Sequence, residues 1–176
     1  MVKEIICKNG EVALCDDEDY PLLARFTWYM GSELKSGGYP CCFFYGRNNT
    51  RKQVFMHQLV MAGTTNIDHI DQNKMNTQKD NLRNATRAEN EWNKSKNKTS
   101  RGKPCTSTYK GVSFDWRIGR FKAGIKRNGV YHSLGYYDNE IDAARAYNNK
   151  AKELSGEFTW LNPLPEVGCT RESLDK

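Results

Sequence analysis

The chain has 176 residues, and its 27 Lys and Arg against 21 Asp and Glu give a formal net charge of +6 at pH 7. Only 38% of the residues are hydrophobic, which favours two or three small domains over one large core, while 20 aromatic residues argue against a disordered chain. No apolar run approaches the ~18 residues of a membrane span, and the first residues lack a signal-peptide pattern, so we expect a cytoplasmic protein with no membrane partner.

Residues 1–53 read as a β-rich N-terminal extension. Strand-like residues 4–7 and 11–14 flank Gly10 and predict a hairpin. A short helix over residues 20–26 follows the acidic residues 16–19, which would lie at its positive end. Residues 28–30 and 39–45 are predicted to be strands.

Residues 54–93 have a different pattern. An apolar stretch with His57 embedded in it comes first, and a second short apolar stretch carries Asp68 and His69. A polar loop over residues 72–80 follows. Thr86 and Glu89 then form a capping box, which predicts a helix that ends near residue 94. The order is therefore strand, long loop, strand or turn, and helix.

Asp68, His69 and Asn90 are the residues of this segment that can carry chemistry. One carboxylate and one neutral oxygen ligand can hold a single hard cation with open positions, and a neutral imidazole can activate a water. Adjacent Asp and His side chains point to opposite faces of a regular strand, so a bulge or strand end at His69 is needed to bring both to one site. The spacing alone leaves a surface Asp–His pair as the alternative.

Residues 54–93 resemble the HNH endonuclease family, in its phage and intron-encoded branch. The matching segments are residues 56–60, 67–71, 79–83, 85–86 and Asn90. The resemblance implies a ββα-metal fold with one divalent cation, Mg²⁺ or Mn²⁺. It also implies that the protein hydrolyses phosphodiester bonds.

The resemblance assigns roles position by position. Asp68 and Asn90 are the expected metal ligands, His69 the general base, and Asn81 the residue that braces the loop after His69. His57 matches a family position to which we assign no role. The zinc-binding cysteines common in the family are missing: the six cysteines contain no Cys-x-x-Cys pair, so we expect no structural zinc and regard them as packing residues.

The stretch from residue 83 to 127 carries the positive charge. It holds thirteen basic and three acidic residues, which predicts a polyanionic partner. Solvated surface lysines are the alternative interpretation. Residues 94–107 show no hydrophobic periodicity and are predicted to be a basic linker that lies along the DNA backbone and contacts its phosphates. The basic residues concerned are Arg83, Arg87, Lys94, Lys96, Lys98, Arg101, Lys103, Lys110, Arg117, Arg120, Lys122, Lys126 and Arg127.

Residues 108–164 are predicted to form a three-stranded antiparallel sheet with one helix, ahead of a tail over residues 165–176. The strands span residues 109–114, 120–127 and 130–137, Asn128 and Gly129 make a hairpin turn, and the helix spans residues 140–154 before Gly156.

This C-terminal segment resembles the AP2 DNA-binding domain. The matching segments are residues 109–112, 120–126, 134–138, 140–147 and 161–162. The resemblance implies that the sheet enters the major groove of double-stranded DNA, with Trp116 joining the basic residues from Lys110 onward as contacts. Lys110, Phe121 and Ser133 depart from the family pattern, so its preferred DNA sequence does not transfer.

The sequence therefore predicts an α+β protein: a ββα-metal nuclease core after an N-terminal β-rich extension, a basic linker and an AP2-like domain. The layout resembles homing endonucleases, and we expect a site-specific DNA endonuclease that acts as a monomer and nicks one strand. The alternative is a sequence-specific DNA-binding regulator without catalysis. Whether residues 1–53 extend the DNA contact or complete the core fold stays open at this stage.

Overall fold

The protein is described here by a computed structural model that covers residues 1–30, 38–48, 50–100 and 102–165; the side chains of Ser100 and Lys103 are not described. The fold is α+β, and the chain divides between Asn93 and Lys94 into two compact units, called the N-terminal and the C-terminal unit below. None of the helices in the described ranges is long and apolar enough to cross a lipid bilayer.

The N-terminal unit contains three small antiparallel sheets, which pair β1 with β2, β4 with both β3 and β5, and β6 with β7. Its elements are β1 (Val2–Ile6), β2 (Val12–Asp16), α1 (Tyr20–Leu23), β3 (Tyr29–Met30), β4 (Pro40–Tyr45), β5 (Arg51–Phe55), α2 (Met56–Val60), β6 (Ile67–His69), β7 (Leu82–Asn84) and α3 (Arg87–Asn93). A single 3₁₀ turn at Lys79–Asn81 precedes β7.

One hydrophobic core joins residues 1–53 to the segment predicted to be the nuclease core. Buried Cys15 and Trp28 belong to the same cluster as Met56, Ile67 and Leu82. The Trp28 indole also donates a 2.9 Å hydrogen bond to the carbonyl of Leu23, so its one polar atom is satisfied inside the core. The first 53 residues therefore complete the core of this unit.

The hairpin of β1 and β2 is hydrogen-bonded to the polar loop between β6 and β7. Leu14 donates its N–H to the carbonyl of Met75 at 2.7 Å. The carbonyl of Leu14 accepts from both the N–H and the hydroxyl of Thr77, at 2.8 and 2.7 Å. Backbone groups of β2 thus hold the loop that follows His69.

The acidic residues before α1 have a different role from the predicted one. Asp19 is the N-cap residue of α1, and its carboxylate makes no capping bond. Asp16 instead accepts the Lys79 N–H at 2.8 Å, which holds the pKa of its carboxyl below the ordinary value, and Glu18 and Asp19 form ion pairs with the Lys79 ammonium. These carboxylates thus bond to Lys79, Asp16 at its N–H and Glu18 and Asp19 at its ammonium, rather than to the N-terminus of α1.

The C-terminal unit contains the predicted three-stranded sheet with a helix packed across it. Its elements are β8 (Thr99–Ser100), β9 (Lys103–Pro104), β10 (Val112–Asp115), β11 (Arg120–Arg127), β12 (Val130–Tyr137), α4 (Glu140–Ser155) and a 3₁₀ turn at Gly156–Phe158. The sheet order is β10-β11-β12, all antiparallel. Asn128 and Gly129 both have positive φ, as the predicted tight hairpin turn requires.

The helix α4 begins with an asparagine cap and closes the core of this unit. The Asn139 side chain accepts the Asp142 N–H at 2.8 Å. Ala144, Tyr147 and Ala151 are buried on the face of α4 that meets the sheet. The helix over these residues is confirmed, with one more residue at its end than predicted.

The segment predicted to be a basic linker contains a short hairpin. Thr99 pairs with Pro104 in the short hairpin of β8 and β9. Further upstream, the Lys96 ammonium donates a 3.0 Å hydrogen bond to the carbonyl of Val112. Residues 94–107 belong to the C-terminal unit, to which the Lys96 ammonium and the carbonyl of Lys94 are hydrogen-bonded.

Candidate active site

Asp68 and His69 are the last two residues of β6, and both are buried, with 3% and 5% of their surface exposed. The strand ends at His69, whose carbonyl accepts the N–H of Gln72 in a turn. Gln72 itself has a φ of +64°, which is uncommon for a residue other than glycine. The predicted strand end at His69 is therefore present.

The carboxylate of Asp68 accepts hydrogen bonds from the two elements beside it. Arg83 lies directly opposite Asp68 in the β6–β7 pair, and its guanidinium donates to Oδ2 from Nε at 3.0 Å and from Nη2 at 2.7 Å. Asn93 donates to Oδ1 at 3.2 Å from the last residue of α3. An ion pair and an amide thus fix the orientation of this buried carboxylate.

Two asparagines of α3, one turn apart, face the end of β6. Asn90 donates its amide N–H to the carbonyl of Ile67 at 3.2 Å. Asn93 is buried and donates to the carbonyl of His69 at 2.9 Å as well as to Asp68. The sequence analysis missed Asn93, although its i, i+3 spacing from Asn90 places both on one helix face.

The capping box predicted for α3 is present. The N–H of Thr86 donates to a carboxylate oxygen of Glu89 at 2.7 Å, and the N–H of Glu89 donates to the hydroxyl of Thr86 at 3.2 Å. These bonds satisfy two donors at the start of a helix of only seven residues. The cap thereby fixes where the helix carrying Asn90 and Asn93 begins.

Asn81 connects the start and the end of the loop that follows His69. Its side-chain oxygen accepts the Asp71 N–H at 3.0 Å, and its amide donates to Asp71 Oδ1 and to the carbonyl of Asn76, both at 2.8 Å. Its backbone carbonyl accepts the N–H of Ile70 at 2.9 Å. Both the oxygen and the amide of this side chain therefore serve the loop.

Aromatic rings pack around the imidazole of His69. The ring centroid of His57 lies 5.2 Å from that of His69 at an interplanar angle of 88°, and the ring of Tyr39 lies 5.5 Å from it. His57 in turn stacks on Phe55, with 5.6 Å between the centroids and 7° between the planes. His57 matched a family position to which no role was assigned, and the structure places its ring in edge-to-face contact with that of His69.

Both imidazoles are neutral at physiological pH. Burial lowers the pKa of His69 to about 4, an effect that the Asp71 and Asp68 carboxylates oppose and the Lys74 ammonium reinforces. Burial likewise lowers the pKa of His57 to about 4, with a further contribution from His69. Nε2 of His69 and Nδ1 of His57 are buried and have no hydrogen-bond partner among the described residues. A neutral imidazole keeps a lone pair that can accept a proton.

The oxygens of this site suit a hard divalent cation. Oδ1 of Asp68 accepts the 3.2 Å bond from Asn93 and has a second lone pair. Asn90 directs its amide nitrogen at the carbonyl of Ile67, so its side-chain oxygen is turned away from that carbonyl. In the described ranges no three His, Cys, Asp or Glu side chains cluster as metal ligands. A donor set of one carboxylate and one amide suits Mg²⁺, which keeps several waters and uses few protein ligands.

A comparison of the full sequence with known proteins identifies its family. It is 30% identical over 160 residues to an uncharacterized HNH endonuclease of Acanthamoeba polyphaga mimivirus, an alignment that covers 89% of this chain and 77% of the relative. No protein-family model and no solved structure matches the sequence. The chain belongs to the HNH endonuclease family. The family that residues 54–93 resemble is therefore the family of this chain, and the buried pair of Asp68 and His69 lies in that segment.

The basic residues predicted to bind DNA occupy varied environments in this HNH-family protein. Arg83 is mostly buried in its ion pair with Asp68, while Arg87, Lys94 and Lys98 are exposed and Lys96 is bonded within its own unit. Arg101 lies outside the described residues, as does the side chain of Lys103. The exposed residues of the set are Arg87, Lys94, Lys98, Trp116, Arg117 and Lys126.

Arg127 is the predicted DNA contact that the structure places inside the molecule. Its side chain is 7% exposed, and its guanidinium donates to the hydroxyls of Ser155 and Thr159 at 2.7 and 3.2 Å. The alternation of β11 turns it toward the end of α4, because Ile125, two residues earlier, is also buried against that helix. Arg127 therefore connects the sheet to the end of α4.

The face of the sheet opposite α4 combines lysines with tyrosines. Lys126 lies directly opposite Tyr131, and Lys122 directly opposite Tyr136. The Lys122 ammonium lies 5.9 and 6.0 Å from the ring centroids of Tyr131 and Tyr136. The ring of Tyr131 crosses Gly124 so closely that a Cβ there would meet the tyrosine hydroxyl at 2.1 Å. Exposed Trp116 lies in the turn between β10 and β11.

Two further lysines of the predicted set have carbonyl partners. Lys110 donates from its ammonium to the carbonyl of Lys94, and Lys96 donates to that of Val112. Burial lowers the pKa of Lys96. Arg120 forms an ion pair with Asp138 at 2.8 Å. These three side chains already hold the start of the C-terminal unit and its sheet together.

Proposed function

We propose that this protein is a site-specific DNA endonuclease of the homing type, which hydrolyses one phosphodiester bond of double-stranded DNA and acts as a monomer that nicks. The observation that carries the proposal is the buried pair of Asp68 and His69 at the end of β6, with Asn90 and Asn93 of α3 directed at the same strand end. Family membership supports it, because the relative is named as an endonuclease.

In this proposal β6, β7 and α3 are a ββα-metal unit, and Asp68 and Asn90 hold one Mg²⁺ or Mn²⁺. The bound cation would neutralise charge on the phosphate and stabilise the leaving 3′ oxygen. Asp68 contributes its carboxylate in an orientation that Arg83 and Asn93 fix. The amide of Asn90 is fixed by its bond to the carbonyl of Ile67.

His69 is the proposed general base. Its neutral imidazole accepts a proton from water as the water oxygen bonds to phosphorus and the bond from phosphorus to the 3′ oxygen breaks. The departing 3′ oxygen takes a proton from solvent, which leaves 5′-phosphate and 3′-hydroxyl ends. Asn81 holds the loop after His69 through Asp71 and Asn76. This bracing keeps the loop directly after His69 in place while the proton moves.

The C-terminal unit is proposed to be an AP2-like DNA-binding domain. The face that carries Lys122, Lys126 and Tyr131, together with exposed Trp116 in the turn between β10 and β11, supplies the cations and flat rings that bind phosphates, sugars and base edges. An antiparallel strand pair fits the width of the major groove. The exposed lysines at the start of this unit would add contacts to phosphates and make the affinity sensitive to salt.

The test is cleavage of supercoiled plasmid by the full-length protein at low salt with Mg²⁺ or with EDTA. We expect open circles that need Mg²⁺, form with His69→Ala at no more than a trace level, and form with the control Asp142→Asn at the wild-type rate. Asp142 is a suitable control because its carboxylate pairs with Arg145 on α4, in the other unit. Linear product would indicate cleavage of both strands.

A gel-shift experiment with the same proteins tests the rival function. We expect His69→Ala to bind DNA as tightly as the wild type, because His69 is buried and holds no positive charge at neutral pH. A wild-type protein that binds one sequence tightly, and leaves that sequence uncut with Mg²⁺ and Mn²⁺, would identify a DNA-binding regulator instead.

A further inference from the structure

Tyr39, one residue before β4, packs its ring against the candidate active site. Its ring centroid lies 4.9 Å from that of His57 and 5.5 Å from that of His69. It also meets the ring of Phe55 at 5.7 Å with an interplanar angle of 66°, an edge-to-face arrangement. Tyr39 comes from the N-terminal 53 residues, outside the segment that resembles the nuclease family.

The same ring carries a cation. The ammonium of Lys74 lies 4.6 Å from the centroid of the Tyr39 ring, within the range of a cation–π contact. Lys74 belongs to the loop that follows His69, and its charge acts on the His69 imidazole. One aromatic ring is thus in contact with the candidate general base and with a lysine beside it.

The orientation of the His69 ring depends on these ring contacts. A catalytic imidazole is commonly oriented by a hydrogen bond from its second nitrogen to a carboxylate or carbonyl. In His69 the nitrogen Nε2 is buried, and no residue in the described part of the chain bonds to it. The rings of Tyr39 and His57 pack against the imidazole where such a bond would otherwise hold it.

We propose that Tyr39 is a positioning residue of the active site: its ring fixes the imidazole of His69 and holds the ammonium of Lys74 beside it, where the ammonium binds the phosphate of the substrate strand. The inference rests on the endonuclease function proposed above. It adds a residue from the N-terminal part of the protein to the site and gives Lys74 a ligand, a phosphodiester oxygen.

The first experiment measures the position of the His69 ring by NMR and needs no cleavage. The protein has three histidines, so their imidazole ring-proton signals can be assigned by substitution, and His132 in the other unit is an internal control. In Tyr39→Leu we expect the NOEs between the ring protons of His69 and His57, whose centroids lie 5.2 Å apart, to weaken, and in Tyr39→Phe to stay close to the wild type. NOEs that keep the wild-type intensity in Tyr39→Leu would overturn the inference.

The second experiment separates kcat from KM on a cleaved DNA substrate. We expect Tyr39→Leu to lower kcat about 10- to 100-fold, the size of effect that a misplaced catalytic group produces. Tyr39→Phe should stay within about twofold, since it keeps the ring that makes these contacts. Lys74→Met should raise KM in the wild type and have less effect in Tyr39→Leu, where the ring that holds the ammonium is gone.

These outcomes distinguish the two proposals. If the wild type cleaves and Tyr39→Leu keeps the wild-type kcat, the positioning role is wrong and the nuclease proposal stands. If the wild type cuts no DNA, the nuclease proposal fails, and the histidine signals still decide whether Tyr39 positions His69. Should Tyr39→Leu not fold, Lys74→Met replaces it, because it leaves the ring packing intact, and an unchanged KM would overturn the proposed phosphate contact.

Discussion

The guanidinium of Arg83 and the carboxylate of Asp68 form an ion pair across the β6–β7 hairpin, with Nη2 2.7 Å from Oδ2 and only 12% and 3% of the side chains exposed. The two residues are direct partners in the strand register. Arg83 was predicted from the charge pattern to bind DNA, and it instead holds in place the carboxylate that is proposed to bind the metal. The arrangement makes Arg83 a stability determinant of the N-terminal unit.

Arg83→Leu is expected to lower the free energy of unfolding of the N-terminal unit by about 3 kcal/mol, because it leaves a buried carboxylate unpaired. Chemical denaturation followed by the fluorescence of buried Trp28 measures the change. Arg87→Leu is the control, since Arg87 is exposed on α3 and should change stability by less than about 0.5 kcal/mol. Equal effects of the two variants would contradict the role given to the ion pair.

Asn81→Ala is expected to loosen the loop after His69 without unfolding the unit. The variant removes three side-chain hydrogen bonds, each worth about 1 kcal/mol net. Amide hydrogen exchange should show faster exchange at Asp71, whose N–H loses its acceptor, while amides of β1 and β2 keep their protection. Unchanged exchange at Asp71 would refute the bracing role.

The unit should lose stability in acid through His57. Its pKa is about 4 in the folded protein and 6.5 as an ordinary value, so the unfolded protein binds a proton below pH 6.5 that the folded one does not. Stability is therefore complete above pH 6.5 and falls as the pH drops toward 4, by up to about 3 kcal/mol for this residue. His57→Phe should reduce the loss by that amount. Parallel curves for the two proteins between pH 6.5 and 4 would contradict the assignment.

Gly111→Ala is expected to destabilise the C-terminal unit severely. Gly111 has a φ of +75°, and a Cβ there would lie 2.0 Å from the ring of Tyr147 and 2.8 Å from the carbonyl of Gly124. Gly119→Ala is the matched control, because Gly119 has a φ of +74° and open space around it. It should cost only the backbone strain, about 1–2 kcal/mol. Thermal unfolding of both variants measures the difference, and similar melting temperatures would refute the packing argument.

Residues 1–93 are expected to fold without the rest of the protein. Among the described residues, the buried cluster around Trp28 comes from this part, and the clusters around Ala144 and Tyr147 come from the other. A fragment that ends at Asn93 should give a cooperative unfolding transition and dispersed amide signals. A fragment that stays unfolded would mean that the C-terminal unit is needed for the first core.

Local patterns in the sequence predicted the elements of the C-terminal unit and of the hairpin around Gly10 well. The turn at Asn128 and Gly129 and the capping box of Thr86 and Glu89 are encoded by residues close to one another in the sequence. The motif also led to Asp68 and His69, and their burial at one strand end agrees with the expected geometry. The roles assigned to them stay predictions.

Contacts between distant residues could not be predicted in this way. Tyr39 precedes β4, and the fold of β4 and β5 places its ring against His69 at the end of β6. No sequence pattern near Tyr39 indicates that contact. Arg127 has the same charge as the exposed Lys126 before it, and only the packing of α4 makes the first a structural residue. The role of Asn93 was not predicted, because the groups it bonds, in Asp68, His69 and Ile70, lie 23 to 25 positions earlier in the sequence.

The hydrogen bonds of Leu14 to Met75 and Thr77 limit how this nuclease could be reused. A graft that moved residues 54–93 alone into another protein would leave the hydroxyl and N–H of buried Thr77 without their acceptor. It would also leave His69 without the ring of Tyr39. The smallest part of this protein that could be transferred with its proposed active site intact therefore runs from β1 to the end of α3.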